Sequence, residues 1–149
     1  MTRRYLKTLI LSVATVATLT GISAQPAFAA KPVDGPAAVA ATAPSPFIRR
    51  NKTLKGSVEI VREGGQTLIR VSDDFRASNG PDLKIFLNPN RVEDVTGKTA
   101  TDGAVLVSKL RQNKGSHDYV VPEGVNLANF GSVLVHCEAF SVLWGGANI

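Results

Sequence analysis

Chemistry in this chain has to pass through few side chains. Met1 is its one methionine, and the soft or imidazole ligands are Cys137, His117 and His136. One thiolate and two imidazoles are the donors of a blue-copper centre, which adds a weak axial group. Neighbouring residues on a strand point to opposite faces, so His136 and Cys137 share a metal only across a bulge or at a strand end. No Cys-x-x-Cys-His is present, which excludes covalent attachment of c-type haem. Val133, Val135 and Cys137 share strand parity, so a regular strand turns Cys137 inward, where it packs as a small hydrophobe. An unpaired thiol in an oxidising compartment nevertheless invites mispairing and over-oxidation.

The remaining polar clusters read as structure first. Asp73, Asp74, Asn79 and Asp82 gather oxygens of the kind that calcium takes. Their spacing matches no EF-hand loop, and Asn79-Gly80-Pro81-Asp82 is turn chemistry. His117 follows Asn113-Lys114-Gly115-Ser116 and reads as a turn-edge surface residue. His136 is expected on the face opposite Cys137, in contact with solvent. Gly97-Lys98-Thr99 imitates the end of a phosphate loop, but Val92 stands where the first glycine is needed. No Gly-x-Ser-x-Gly elbow occurs, and no carboxylates pair for acid–base work. The expectation is an accessory module and not a stand-alone catalyst.

Short strands and turns must position these residues. In 57–62, Val58 and Ile60 alternate with Ser57 and Glu59, the pattern of a half-buried strand. Glu63-Gly64-Gly65-Gln66 supplies a hairpin turn, and 67–71 returns with Ile69 and Val71 on one face. Residues 83–87 alternate again, and 104–110, 118–121, 132–137 and 140–144 complete the strand candidates. Residues 91–103 are polar and read as a long surface loop. No segment after the leader sustains helical periodicity. The expected fold is therefore all-β, one antiparallel β-sandwich or barrel-like domain.

That domain is expected to occupy 47–149. Residues 1–29 have the layout of an export signal: basic Arg3, Arg4 and Lys7, an apolar stretch over 9–22, then Ala27-Phe28-Ala29 before the cleavage point. The Arg3-Arg4 pair partly matches a twin-arginine signal; otherwise the general secretory route applies. An uncleaved leader would be the one membrane contact, and the destination is periplasmic or extracellular. Residues 30–46 are Ala- and Pro-rich and are expected to be an extended, mobile linker. The formal net charge of +5 falls with the leader: 14 basic residues then face 12 acidic ones, leaving +2. A nucleic-acid partner loses its support with those charges. The cluster Arg49, Arg50, Lys52 and Lys55 reads as a solvated domain edge, or one that touches a cell-wall or membrane polyanion.

Several motifs together resemble the DM13 domain over about 47–149. They are Gly56-Ser57-Val58, Asp73-Asp74-Phe75, Gly80-Pro81-Asp82-Leu83 with Ile85 to Leu87, Leu110, Gly115-Ser116 and Tyr119. The ending is Ser132-Val133 to Cys137, Phe140-Ser141-Val142 and Gly146-Ala147. The resemblance implies an extracytoplasmic β-rich module working in electron transfer with a redox partner protein or membrane component. It implies a functional cysteine, here Cys137, as a bare redox thiol or as ligand to a group such as haem. Family members often carry an aromatic residue before that cysteine, where this chain has His136. The alternatives are intermolecular disulfide pairing and a binding or adhesion module whose buried cysteine is structural.

Overall fold

A computed structural model of the protein describes residues 40–149. The export signal and the first part of the expected linker lie outside the described residues. Twelve strands follow along the chain: β1 (Ala40–Ala41), β2 (Ser45–Pro46), β3 (Ile48–Arg49), β4 (Leu54–Lys55), β5 (Ser57–Glu63), β6 (Gln66–Val71), β7 (Arg76–Ala77), β8 (Leu83–Asn88), β9 (Val105–Lys109), β10 (His117–Val120), β11 (Ser132–Cys137) and β12 (Val142–Asn148). Three single-turn 3-10 segments join them, and no α-helix occurs among the described residues.

Every pairing is antiparallel. One sheet has the order β1-β5-β6-β10 with β2 also on β5, and the other β3-β12-β11-β8-β9; β4 and β7 form a separate pair. The β5–β6 hairpin closes with Glu63 opposite Gln66, and the two residues between them, Gly64 and Gly65, both have positive φ. That is the turn whose twist matches the strands it joins, and glycine adopts it without strain. Register then sets Val58 against Val71 and Ile60 against Ile69, which places these side chains on one face. They meet Leu83, Ile85, Leu87, Val133, Val135 and Cys137 from the second sheet in a single core with Phe75, Tyr119 and Trp144. Two sheets sharing one apolar layer is the architecture of a β-sandwich.

The second sheet is covered on its outer face as well. Phe86, Leu134 and Leu143 point away from the main core and pack with Val92, Val95 and Ala100. The segment expected to be a polar surface loop is thus a lid with three buried anchors, each 0–1% exposed. Burying each valine contributes about 1.5–3 kcal/mol. Polar bonds fix the same segment: Asn88 Nδ2 donates to the Ala100 carbonyl at 3.1 Å, and Ser132 Oγ donates to the Asn90 carbonyl at 2.7 Å. The continuous run Val133-Leu134-Val135 is the sequence trace of this two-sided burial.

Two boundaries differ from expectation. The last strand is Val142–Asn148, and not 140–144: Phe140 lies in an exposed 3-10 turn, while β12 continues through Gly145 and Gly146. Those glycines read as a break in the sequence but mark a bulge. Val135 pairs with Gly145 while His136 pairs with Leu143, so β12 carries one extra residue. The shift lets Trp144 and Ala147, three positions apart, both face the main core. At the other end, Ala40–Ala41 and Ser45–Pro46, the close of the expected linker, pair with β5.

Candidate functional site

Cys137 ends β11, between Leu83 of β8 and Val142 of β12. Strand parity turns it into the main core with Val133 and Val135, as the alternation predicts, and it is 0% exposed. The next residue begins the surface turn Glu138–Phe140, which ends at Ser141 in a left-handed conformation (φ 50°). The thiol is therefore fully covered but lies one residue from solvent-facing backbone. Cys137 is absent from the lining of the surface clefts bounded by Ala40 and Phe130, by Arg76 and Lys114, by Ser57 and Ser116, and by Gly65 and Val125. A haem has no seat beside Sγ in this packing.

His136 points to the opposite face, but solvent does not reach it. The residue is 2% exposed and its ring meets Phe86 edge-on, with centroids 6.0 Å apart. Burial holds its imidazole below the ordinary value, with the charge of Glu138 acting in the other direction. Its Nδ1 is buried without a hydrogen-bond partner among the described residues. The expectation of a solvated His136 fails because β11 is covered on both sides. His117 opens β10 opposite Val71, on the other sheet, at the edge of the 113–116 turn as expected but half-buried and not on the open surface. The strand geometry thus sends Cys137 and His136 to opposite faces and leaves His117 on a different sheet. No group of three or more His, Cys, Asp or Glu able to hold a metal occurs among the described residues.

The oxygen ligands are likewise divided. Asp74 accepts from Ser72 Oγ at 2.5 Å, Asn79 bonds Asn113, and Asp82 lies 3.2 Å from Lys84 Nζ. Lys84 also bonds Glu138, and these carboxylates raise its proton affinity. The ion group ties the start of β8 to the turn that follows Cys137. The Glu138 N–H donating to the Asp82 carbonyl at 3.2 Å adds a second tie.

Backbone and side-chain bonds tie the motif segments to their neighbours. Ser72 exchanges bonds with Ser57, accepting from its N–H through Oγ and donating its own N–H to its carbonyl, at 2.9 and 3.0 Å. The Phe75 N–H donates to Ser72, and the Phe75 carbonyl accepts from Gly115 at 3.1 Å. Ser78 takes the indole Nε1–H of Trp144 on its carbonyl at 3.0 Å. Leu110 donates to the Leu83 carbonyl at 2.8 Å, and Leu83 is the cross-strand neighbour of Cys137. Of these motif residues, Leu83 lies directly beside Cys137, and Phe75 and Tyr119 share the main core with it.

The family model described as electron transfer DM13 matches residues 46–149. The chain belongs to the DM13 family. No curated protein and no solved structure matches it. The matched DM13 region takes in both sheets from Pro46 onward, so the family covers the sandwich and its lid as one unit. Sequence reasoning located the inward orientation of Cys137. It missed the lid over Phe86, Leu134 and Leu143, because Val92, Val95 and Ala100 are too widely spaced to show a period. It also missed Arg76, Arg111 and Lys114, which only the fold brings together.

Proposed function

We propose that this DM13 domain is an exported electron-transfer accessory module that works through the end of the sandwich built around Cys137. The match of a family described as electron transfer to residues 46–149 carries the reading. The packing of Phe75, Leu83 and Tyr119, from separate family motifs, into one core with Cys137 supports it. In this reading Cys137 acts as a bare thiol, since a haem finds no seat beside it. The thiol is reached when the 138–141 turn lifts from the start of β8 and exposes the strand end.

One observation favours a second reading. Cys137 is 0% exposed, which suits a non-catalytic binding or adhesion module with a structural cysteine. The exported chain, equilibrated folded across glutathione redox buffers, separates the two. A redox thiol attacks oxidised glutathione, forms the Cys137 mixed disulfide and releases one reduced glutathione, in a fraction that follows the buffer ratio. Mass spectrometry reads that fraction while Trp144 emission reports the fold. A thiol that stays unmodified in every buffer until the domain unfolds makes the cysteine structural. A Soret band in protein purified after growth with haem supply, lost in Cys137→Ala, would restore the haem ligand.

A further inference from the structure

A basic cleft of about 690 Å3 opens at the same end of the sandwich. Arg76, Asn79, Arg111, Gln112, Asn113 and Lys114 line it, and no carboxylate does. Its place follows from backbone bonds: Ala77 donates to the Asn113 carbonyl, and Leu110, next to Arg111, donates to Leu83 beside Cys137.

Pairing sets the cations abreast. Lys55 is the cross-strand partner of Arg76, and Arg76 bridges in turn to Lys114. Like charges directly opposite destabilise a strand pair, and a bound anion relieves that cost. Arg111 holds its guanidinium 5.8 Å from the centre of the Tyr119 ring, which orients it before any ligand arrives. Among the described residues, Lys55, Arg76, Arg111 and Lys114 make no ion pair, whereas Arg70, Lys84 and Arg91 each do.

We infer that this cleft docks the acidic face of a protein partner, an inference that rests on the electron-transfer reading above. The cleft is open and its cations are exposed, unlike a small-molecule pocket, which buries most of its ligand. Long polyanions are held by cations strung along a face. Here the cations form one patch, with Asp73, Asp74 and Asp82 on either side of β7 along the chain. Arginines pair two-pronged with carboxylates, and the carboxamides of Asn79, Gln112 and Asn113 offer donors and acceptors to the backbone between them. Electron-transfer partners meet through small interfaces, and opposite charge steers their encounter.

The test titrates the full exported chain with a fluorescent oligoglutamate peptide. Binding is expected at about 20 mM salt and should fade by about 200 mM, as screening shortens the reach of exposed charges. Arg76→Glu with Lys114→Glu should weaken it by about tenfold or more. The charge-matched exposed pair Arg62→Glu with Lys98→Glu, outside the cleft, should stay within about twofold. Arg76→Gln with Lys114→Gln gives the same direction if the reversed pair fails to fold, with circular dichroism as the check. Equal losses in the two charge-reversed pairs, or no binding at low salt, overturn the inference. So does tighter cleft-dependent binding of pyrophosphate, a sulfated oligosaccharide or phosphatidylglycerol vesicles than of the peptide. The readout is binding without redox chemistry, so its failure is distinct from failure of the glutathione experiment.

Discussion

Alkylation of Cys137 should proceed through a local opening of the strand end and not through global unfolding. The thiol is 0% exposed, so a maleimide reaches it only after Cys137 separates from Leu83 and Val142. That opening breaks the last cross-strand pairs and brings one or two apolar side chains into water. At about 1 kcal/mol per backbone bond and about 1.5–3 kcal/mol for an apolar side chain, it costs about 3–5 kcal/mol. Labelling should then be roughly 100- to 4,000-fold slower than in the unfolded chain, since each 1.4 kcal/mol is about tenfold. Global unfolding of a domain this size costs about 5–15 kcal/mol and would slow labelling by more than about 4,000-fold. Mass spectrometry against urea separates the regimes: a local opening exposes little surface, so the rate should stay flat at low urea. A rate that climbs from zero urea with the slope of global unfolding would refute the argument and leave Cys137 as a structural core residue.

Three further outcomes follow from the packing. His136 is held below its ordinary value by burial, so below about pH 6.5 the unfolded chain binds more protons than the folded one. Stability should be fully present above that point and decline toward pH 5; urea midpoints should lose this slope in His136→Gln, and an unchanged slope would assign it to other groups. Gly97→Ala places a Cβ 1.9 Å from the Ser141 carbonyl oxygen and 3.2 Å from Val142 Cα. Both are backbone, so the lid must lift, at about 1–3 kcal/mol, and Cys137 labelling should accelerate; a neutral urea midpoint would show that the lid does not clamp this turn. Trp144→Phe deletes the indole N–H that donates to Ser78 at 3.0 Å and leaves a cavity, lowering stability by about 2–3 kcal/mol in thermal melts. A loss below about 0.5 kcal/mol would mean that the site repacks without the indole.

Much of the sandwich is legible in period-2 alternation. Val58 with Ile60, Ile69 with Val71, and Leu83 with Ile85 and Leu87 are the inward residues of β5, β6 and β8, and each set appears in the main core. The inward turn of Cys137 follows from the same parity. The two-residue strands leave no such trace: β4 and β7 exist because Leu54 and Ala77 meet across the chain, not because either segment prefers to be extended. The β12 bulge is similar, since Gly145-Gly146 reads as a terminator until the pairing with β11 shows that one extra residue brings Trp144 inward.

Composition and alternation determined by themselves an all-β chain, a core drawn from one face of each strand, and a single thiol pointing into it. Alternation reports burial on one side of a strand; the unbroken run Val133-Leu134-Val135 marks β11 as covered on both sides but does not say by which residues. That outer cover is Val92, Val95 and Ala100 packed on Leu134 and Leu143, an arrangement held by contacts between residues about forty positions apart. Charge behaves in the same way. Arg76, Arg111 and Lys114 are ordinary scattered cations in sequence, and they line one basic cleft, with Lys55 paired beside Arg76, only when the fold brings them together.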